Sequence, residues 1–479
     1  MLPTLPITGL DIAPEELRTE LIRAANWVAD YLQAVPAGPV TRPRALDERR
    51  WLASSPLRDE GRPHTEFTDF IDREVAPFPC GNGHPAFFGW INSPPAPTAI
   101  IAELLSVTIN ASCGMGEHAS MDLERGAVRA LAELAGLPHG AGGVLTSGGS
   151  TANLLCLAAA RSWYLASIDA EDGERYDAAH ALLVCYQSAD THMSVGKSAR
   201  TIGLPASRLR SIPLTDDRRL DAGALRTAVE RDLAAGLLPF CVVSTTGSTA
   251  TGAIDPIAEI TAVCRDYGLW HHVDGAFGGL GAAHPALAPH YAGIADVDSL
   301  TVDPHKTLNV PIGCGAALVT DPERLRGAFS LRASYLDGND AWPWLSDYTI
   351  ELTRPAGRAF TVWAVLHQLG REGVTALLDG YLRHTALLRE LIEAHPDLEL
   401  VADGPWSITC FRYRTPGRGD AITTAIADRL RDRGRAFLAT VDIDGELALR
   451  ASICNYRTSE ADIRTLVAEV LAIGAELCG

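Results

Sequence analysis

The chain has 479 residues, 47% hydrophobic and 21% charged, an ordinary globular composition at a length that calls for one large core with smaller attachments. Forty-one Lys and Arg against 59 Asp and Glu leave a net charge of -18, which opposes binding to nucleic acid and to anionic membranes. No apolar run approaches the roughly 20 residues that cross a bilayer, residues 1–10 lack a basic stretch followed by a hydrophobic one, and the ten cysteines include no C-x-x-C pair. The expectation is a cytoplasmic protein with no metal site, disulfide framework, nucleic-acid partner or membrane partner.

Residues 14–34 read as an amphipathic helix, with Pro14 in the first turn and Leu17, Leu21, Ala25, Val28 and Leu32 at helical spacing before Pro36, Pro39 and Pro43 end it. Its apolar stripe needs a second surface, either its own domain or a partner subunit. Residues 80–96 are rich in turn formers and aromatics, and Phe87, Phe88 and Trp90 either line a pocket for an apolar ligand or pack into a core. Helices are expected over 97–110 and 121–135, the second with Asp122 and Glu124 in its first turn, where the helix dipole favours acids.

A short strand over 144–146 gives way to Ser147-Gly148-Gly149-Ser150-Thr151 and then to an Ala/Leu-rich helix. Glycines there let the backbone approach an anion, and the free N–H groups of a helix start attract phosphate, although Ser and Thr also serve as plain caps. The strand over 181–186 leads to His192, an imidazole placed either to stack on a planar ring and move protons or to serve structure. After a polar, basic stretch over 208–226 come a strand over 239–244, ending in hydroxyl residues up to Thr249, and a helix over 257–266.

Two buried strands follow, one over 269–273 ending on Asp274 and one over 300–302 ending on Asp303-Pro304-His305-Lys306. Strands alternating with helices predict an α/β fold with a large, doubly wound, mainly parallel sheet, whose ligand crevice lies beyond the carboxyl ends of the strands. An acid and an amine delivered there suit pyridoxal phosphate, whose aldehyde condenses with a lysine while a carboxylate keeps the pyridine nitrogen protonated. The alternative is that Asp274 caps a turn and Lys306 is a solvated surface residue.

A further strand is expected over 315–320, a mobile loop or lid with Trp342, Trp344 and Tyr348 over 336–348, and a helix over 360–369. Beyond about 371, helices over 374–395, 421–431 and 460–477 alternate with strands over 399–401, 407–411 and 446–451, a compact α+β module. The predicted organisation is an N-terminal helical segment (1–80), a large cofactor-binding domain (81–370) and a small C-terminal domain (371–479).

Taken together, HPAFFGW from His84, SGGSTAN from Ser147, DTH ending at His192, GAIDP from Gly252, HVDGA around Asp274, DSLTVDPHK ending at Lys306 and ICNYRT ending at Thr458 resemble, in order, the motifs of the group II pyridoxal-phosphate-dependent amino acid decarboxylases. That family includes the aromatic-L-amino-acid and glutamate decarboxylases. The resemblance implies fold type I of the pyridoxal-phosphate enzymes and a homodimer with active sites at its interface. By motif, Lys306 looks like the Schiff-base lysine, Asp274 the partner of the pyridine nitrogen and His192 the residue stacked on the ring. Gly149 and Ser150 match phosphate-turn positions, Thr249 and Ala276 contact the ring and its substituents, Asp303 neighbours the phosphate, and His305 precedes the lysine. Tyr348 resembles the proton-donor tyrosine, without which related enzymes release an aldehyde.

The expected reaction is decarboxylation of an L-amino acid to an amine and carbon dioxide, with Trp90 and the aromatic loop favouring an aromatic substrate. An oxidative decarboxylase or aldehyde synthase, an aldolase-type lyase and a non-catalytic cofactor-binding protein are the rivals. A nicotinamide-binding protein is disfavoured because no G-x-G-x-x-G follows the first strand.

Overall fold

The computed structural model describes residues 12–478 except 43, 58, 115, 332–342 and 416–418. A seven-stranded sheet comprises β1 (Gly142–Thr146), β2 (Leu183–Ser188), β3 (Leu209–Ile212), β4 (Leu238–Thr245), β5 (Trp270–Gly275), β6 (Ser299–Val302) and β7 (Gly315–Val319), in the order β1-β7-β6-β5-β4-β2-β3. β7 runs antiparallel to both its neighbours, and every other adjacent pair is parallel. The carboxyl ends of β1, β2, β4, β5 and β6 therefore share one edge.

β5, β6 and β7 are buried at every position and β4 at all but its first, as strands covered on both faces must be. Alternate residues separate the two cores. Val144, Cys185, Val243 and Ala317 pack with the helices Gly149–Ser167 and Met193–Thr201. Leu145, Val273, Leu300 and Leu318 pack with the helix Ala119–Leu134 and the first part of the helix Gly357–Glu393.

A second sheet, wholly antiparallel, has the order β10-β11-β9-β8, with β8 (Leu398–Ala402), β9 (Ile408–Tyr413), β10 (Ala439–Ile443) and β11 (Glu446–Ser452). Its core joins Phe411 and Leu449 to Leu430 and Leu466 from two covering helices. Phe87 and Phe88 are core residues of this second sheet, 2% and 0% exposed, while Trp90 stands 48% exposed.

Two strands escaped the sequence reading. β3 lies inside the stretch read as polar and basic, and β10 lies between the predicted helix and strand of the C-terminal module; both are sheet edges, where a strand need not be apolar on both faces. The helices predicted over 360–369 and 374–395 form one element, Gly357–Glu393, turned at Gly370 with φ 59°, a conformation glycine adopts without steric cost.

The helix Pro14–Ala34 buries no residue within the chain. Among the described residues, no helix is long and apolar enough to cross a membrane and no His, Cys, Asp and Glu cluster could hold a metal ion. All ten cysteines are free, with only Cys80 and Cys478 exposed.

Candidate active site

Five strand ends open onto one crevice. β1 turns at Gly148, with φ 145°, into the helix that starts at Gly149, where the Thr151 and Ala152 N–H groups bond the Gly148 carbonyl and those of Gly149 and Ser150 stand ahead of the helix's own ladder. A β-carbon on Gly149 would lie 2.9 Å from Asp303 Oδ2 and 3.0 Å from the Ala276 β-carbon, so the helix start is seated directly on two other strand ends. Ser150 is exposed beside it, and Ser147 Oγ and Thr151 Oγ1 are 2.8 Å apart.

Past the end of β6 the chain makes a tight turn over Pro304–Thr307 that carries Lys306, with Nζ 3.0 Å from Asp303 Oδ2. The other carboxylate oxygen, Asp303 Oδ1, is buried with no hydrogen-bond partner. His305 donates from Nδ1 to the Cys314 carbonyl at 2.5 Å and sets Nε2 3.8 Å from Asp303 Oδ2. Burial lowers the His305 pKa against the pull of Asp303.

At the end of β5 the buried Asp274 accepts from Asn153 Nδ2 at 3.0 Å and from the Ala276 N–H at 3.1 Å. Charge-assisted bonds of this kind fix the carboxylate's orientation. His192 caps the helix Met193–Thr201, its Nδ1 receiving the Ser194 N–H at 3.2 Å and lying 2.8 Å from Ser194 Oγ. The residue is exposed overall, while the ring's contacts with Ser194 are partly buried. Its pKa is lowered, chiefly by lost hydration, with Lys306 pushing the same way and Asp274 and Asp303 opposing, which places it in the field of all three. Thr249 follows β4, half-buried, with its carbonyl held by Arg450 Nη1 at 2.6 Å.

Tyr348 is not among these residues within the chain. It ends a short 3-10 turn over Leu345–Tyr348, and the charged groups acting on it are Glu323, Arg326, Asp347 and Arg125. Much of the predicted loop over 336–348, Trp342 included, lies outside the described residues. Three site residues escaped the sequence reading: Asn153, Ser194 and Arg450, the last a buried guanidinium that bridges the carbonyls of Thr249 and Gly89. The available signal for Asn153 was an amide inside an otherwise apolar Ala/Leu helix.

An amine, an anchored carboxylate and a helix start whose first residue, Gly149, carries no β-carbon fit pyridoxal phosphate. Residues 54–414 match the family model of the pyridoxal-dependent decarboxylase conserved domain. The chain belongs to that family. It is a pyridoxal-phosphate-dependent carboxy-lyase of the amino acid decarboxylase group, as the motifs had implied.

The chain is 27% identical to 4-hydroxyphenylacetaldehyde synthase of Rhodiola rosea over 94% of its length and 93% of that protein. It is 26% identical to the aromatic-L-amino-acid decarboxylase of Bacillus atrophaeus over 98% of both chains. With the L-2,4-diaminobutyrate decarboxylase of Rhizobium meliloti it shares 32% identity over 79% of this chain and 75% of the other. Its fold superposes on the crystal structure of Oryza sativa TDC with PLP and tryptamine with a TM-score of 0.92 and 24% identity, covering 98% of this chain and all of the other. The architecture is fold type I, the predicted class.

Proposed function

We propose that this protein removes the α-carboxylate of an L-amino acid, by preference an aromatic one, and releases the amine and carbon dioxide. The convergence of Lys306, Asp274 and the helix start at Gly149 on one crevice carries the reading. When bound, pyridoxal phosphate supplies an aldehyde that condenses with amines and a protonated ring that takes up the electron pair of the breaking bond. Lys306 would supply the amine that holds that aldehyde. Asp274, its orientation fixed by two donors, would face the ring nitrogen and hold a proton there. Gly149 and Ser150, at the positive end of a helix dipole, bind the phosphate, with Asp303 and His305 behind them. Thr249 and Ala276 would contact the ring, and His192 would stack on it. Lys306 or Tyr348 returns a proton to the substrate α-carbon.

Trp90 supports an aromatic substrate: it is half exposed and meets Phe87 and Phe437 edge-on at 5.8 and 5.6 Å between ring centres. A second reading, oxidative release of an aldehyde, is supported by the likeness to an aldehyde synthase. The tyrosine at 348 weighs toward the amine.

A homodimer belongs to the same proposal. The helix Pro97–Ile109 exposes Ile101, Leu104, Leu105, Val107 and Ile109, and the helix Pro14–Ala34 buries nothing of its own, a combined apolar surface that calls for a partner.

The test is an absorbance spectrum with added pyridoxal phosphate, followed by an amino acid panel with paired detection of carbon dioxide, amine and aldehyde. The expected result is a visible band abolished in Lys306→Ala, with amine and carbon dioxide in equal amounts from aromatic substrates. Aldehyde with ammonia would establish the second reading. A protein that stays colourless, or normal turnover by Lys306→Ala, would overturn the assignment.

A further inference from the structure

Asp274 and His192 belong to a chain of hydrogen bonds whose direction is set by the Asp274 carboxylate. At one end the Trp270 indole N–H can only donate, and it donates to Ser299 Oγ at 2.8 Å. Ser299 Oγ also lies 2.8 Å from His272 Nδ1. Burial holds the His272 pKa near 4, so the ring is neutral. Its Nε2 lies 3.0 Å from Asn153 Oδ1, an oxygen that also receives the Thr301 hydroxyl at 2.6 Å.

At the other end, the Asp274 carboxylate can only accept. It therefore draws the amide nitrogen of Asn153 to itself at 3.0 Å and turns the amide oxygen toward His272. With the amide oxygen an acceptor, the neutral His272 ring carries its single proton on Nε2 and leaves Nδ1 to receive the Ser299 hydroxyl. Trp270, Asn153, His272, Ser299 and Thr301 are all wholly buried.

A branch runs from Asn153 to His192. The second amide proton of Asn153 goes to Ser194 Oγ at 3.0 Å, which leaves the Ser194 hydroxyl proton to point at His192 Nδ1, 2.8 Å away. The Ser194 backbone N–H, which cannot be reversed, aims at the same nitrogen from 3.2 Å. Nδ1 is therefore a lone-pair atom facing two donors.

We propose that Asn153 and Ser194 are positioning residues that hold His192 as the neutral Nε2–H tautomer, with the same Asn153 amide anchoring Asp274. The inference deepens the proposed function, which makes His192 and Asp274 cofactor-facing; the tautomer itself is a property of the chain alone. Its consequence is that His192 offers the crevice a hydrogen-bond donor and not a base. To take up a second proton, Nδ1 would have to accept it against the Ser194 N–H and a hydroxyl whose oxygen is already engaged by Asn153. Asp274 and Asp303 favour that protonation, while Lys306 and Lys197 oppose it.

The direct test is neutron diffraction from deuterium-exchanged crystals of the whole, cofactor-free protein. Deuterium on Nε2 of His192 and of His272, with none on either Nδ1, is the expected result; deuterium on His192 Nδ1 overturns the proposal. A second measurement follows the His192 pKa by NMR of histidine-labelled protein, the resonance identified by its loss in His192→Gln. Ser194→Ala, which removes one donor to the lone pair, raises that pKa by roughly half to one unit, the worth of one net hydrogen bond. Ser194→Thr restores it. An unshifted pKa in Ser194→Ala also overturns the proposal. Both readouts are taken without cofactor, so they stand or fall apart from the proposed function, which titration with pyridoxal phosphate judges separately.

Discussion

His271 and His272 are neighbours on β5 whose rings bond to opposite sides of the sheet. His271 meets Ser244 Oγ at 2.8 Å and Thr261 Oγ1 at 2.9 Å, and His272 meets Asn153 and Ser299. Burial holds their folded pKa values at about 3 and about 4, against an ordinary 6.5. The unfolded chain therefore binds protons at these rings as the pH drops below 6.5 while the folded chain refuses them. Their contribution to stability is full above 6.5 and is lost toward pH 4 and 3, at on the order of 1.4 kcal/mol per pH unit for each ring. Asp255 works in the opposite sense: burial raises its folded pKa to about 6 from 3.8, so its share of stability grows as the pH falls through that interval. Two histidines outweigh one aspartate. The urea midpoint should fall steadily between pH 6.5 and 4, less steeply in His272→Gln; a midpoint constant across that range would contradict the burial argument. Lys306, Asp274 and His192 were legible because each follows an apolar run. Asn153 was not, because its partners Asp274, His272 and Thr301 lie 121, 119 and 148 residues away.

Among the elements, the helix Ala119–Leu134 is tied to β1 and to the segment before the long helix by one buried ion pair. Arg354 donates to Glu124 at 2.7 and 2.9 Å, with side-chain exposures of 1% and 0%. Glu124 also receives the Leu145 N–H at 3.0 Å, and Arg354 gives to the Leu145 carbonyl at 3.2 Å. The sequence reading took Glu124 for a first-turn partner of the helix dipole; the helix starts earlier, at Ala119, and Glu124 points into the core. Arg354→Met leaves a buried carboxylate uncompensated and should cost about 3–5 kcal/mol in chemical denaturation, as breaking such a pair does. Adding Glu124→Gln should recover most of the loss, and equal destabilisation of the single and double variants would show that the pairing is not what holds these elements. The buried strands were legible from their continuous apolar runs, while β3 and β10 were hidden by edge positions that tolerate polar residues.

At the scale of the whole molecule, the proposed dimer explains the exposed apolar helix Pro97–Ile109 and offers Tyr348, set among Glu323, Arg326, Asp347 and Arg125, a place in the partner's crevice. Leu105→Asp should convert a dimer to a monomer in light scattering coupled to size exclusion; an unchanged mass would remove this face from the interface. If Tyr348 serves the partner's crevice, mixing the Lys306→Ala and Tyr348→Phe variants under conditions of subunit exchange restores amine formation that neither homodimer supports. Absence of restoration would assign Tyr348 to its own subunit or to no catalytic step.

The sequence alone determined the α/β class, the parallel run of buried strands and the acid and amine at their ends, because burial of a strand on both faces imposes a local, readable pattern and strand polarity then dictates where the ends meet. Motif order added the cofactor. Only the tertiary structure decided that Phe87 and Phe88 are core, that Glu124 is paired, and that Asn153 joins Asp274 to His192. Each of those outcomes depends on which distant segments come within hydrogen-bonding or van der Waals reach, and that is set by packing across the sheet, not by the residues on either side in the chain.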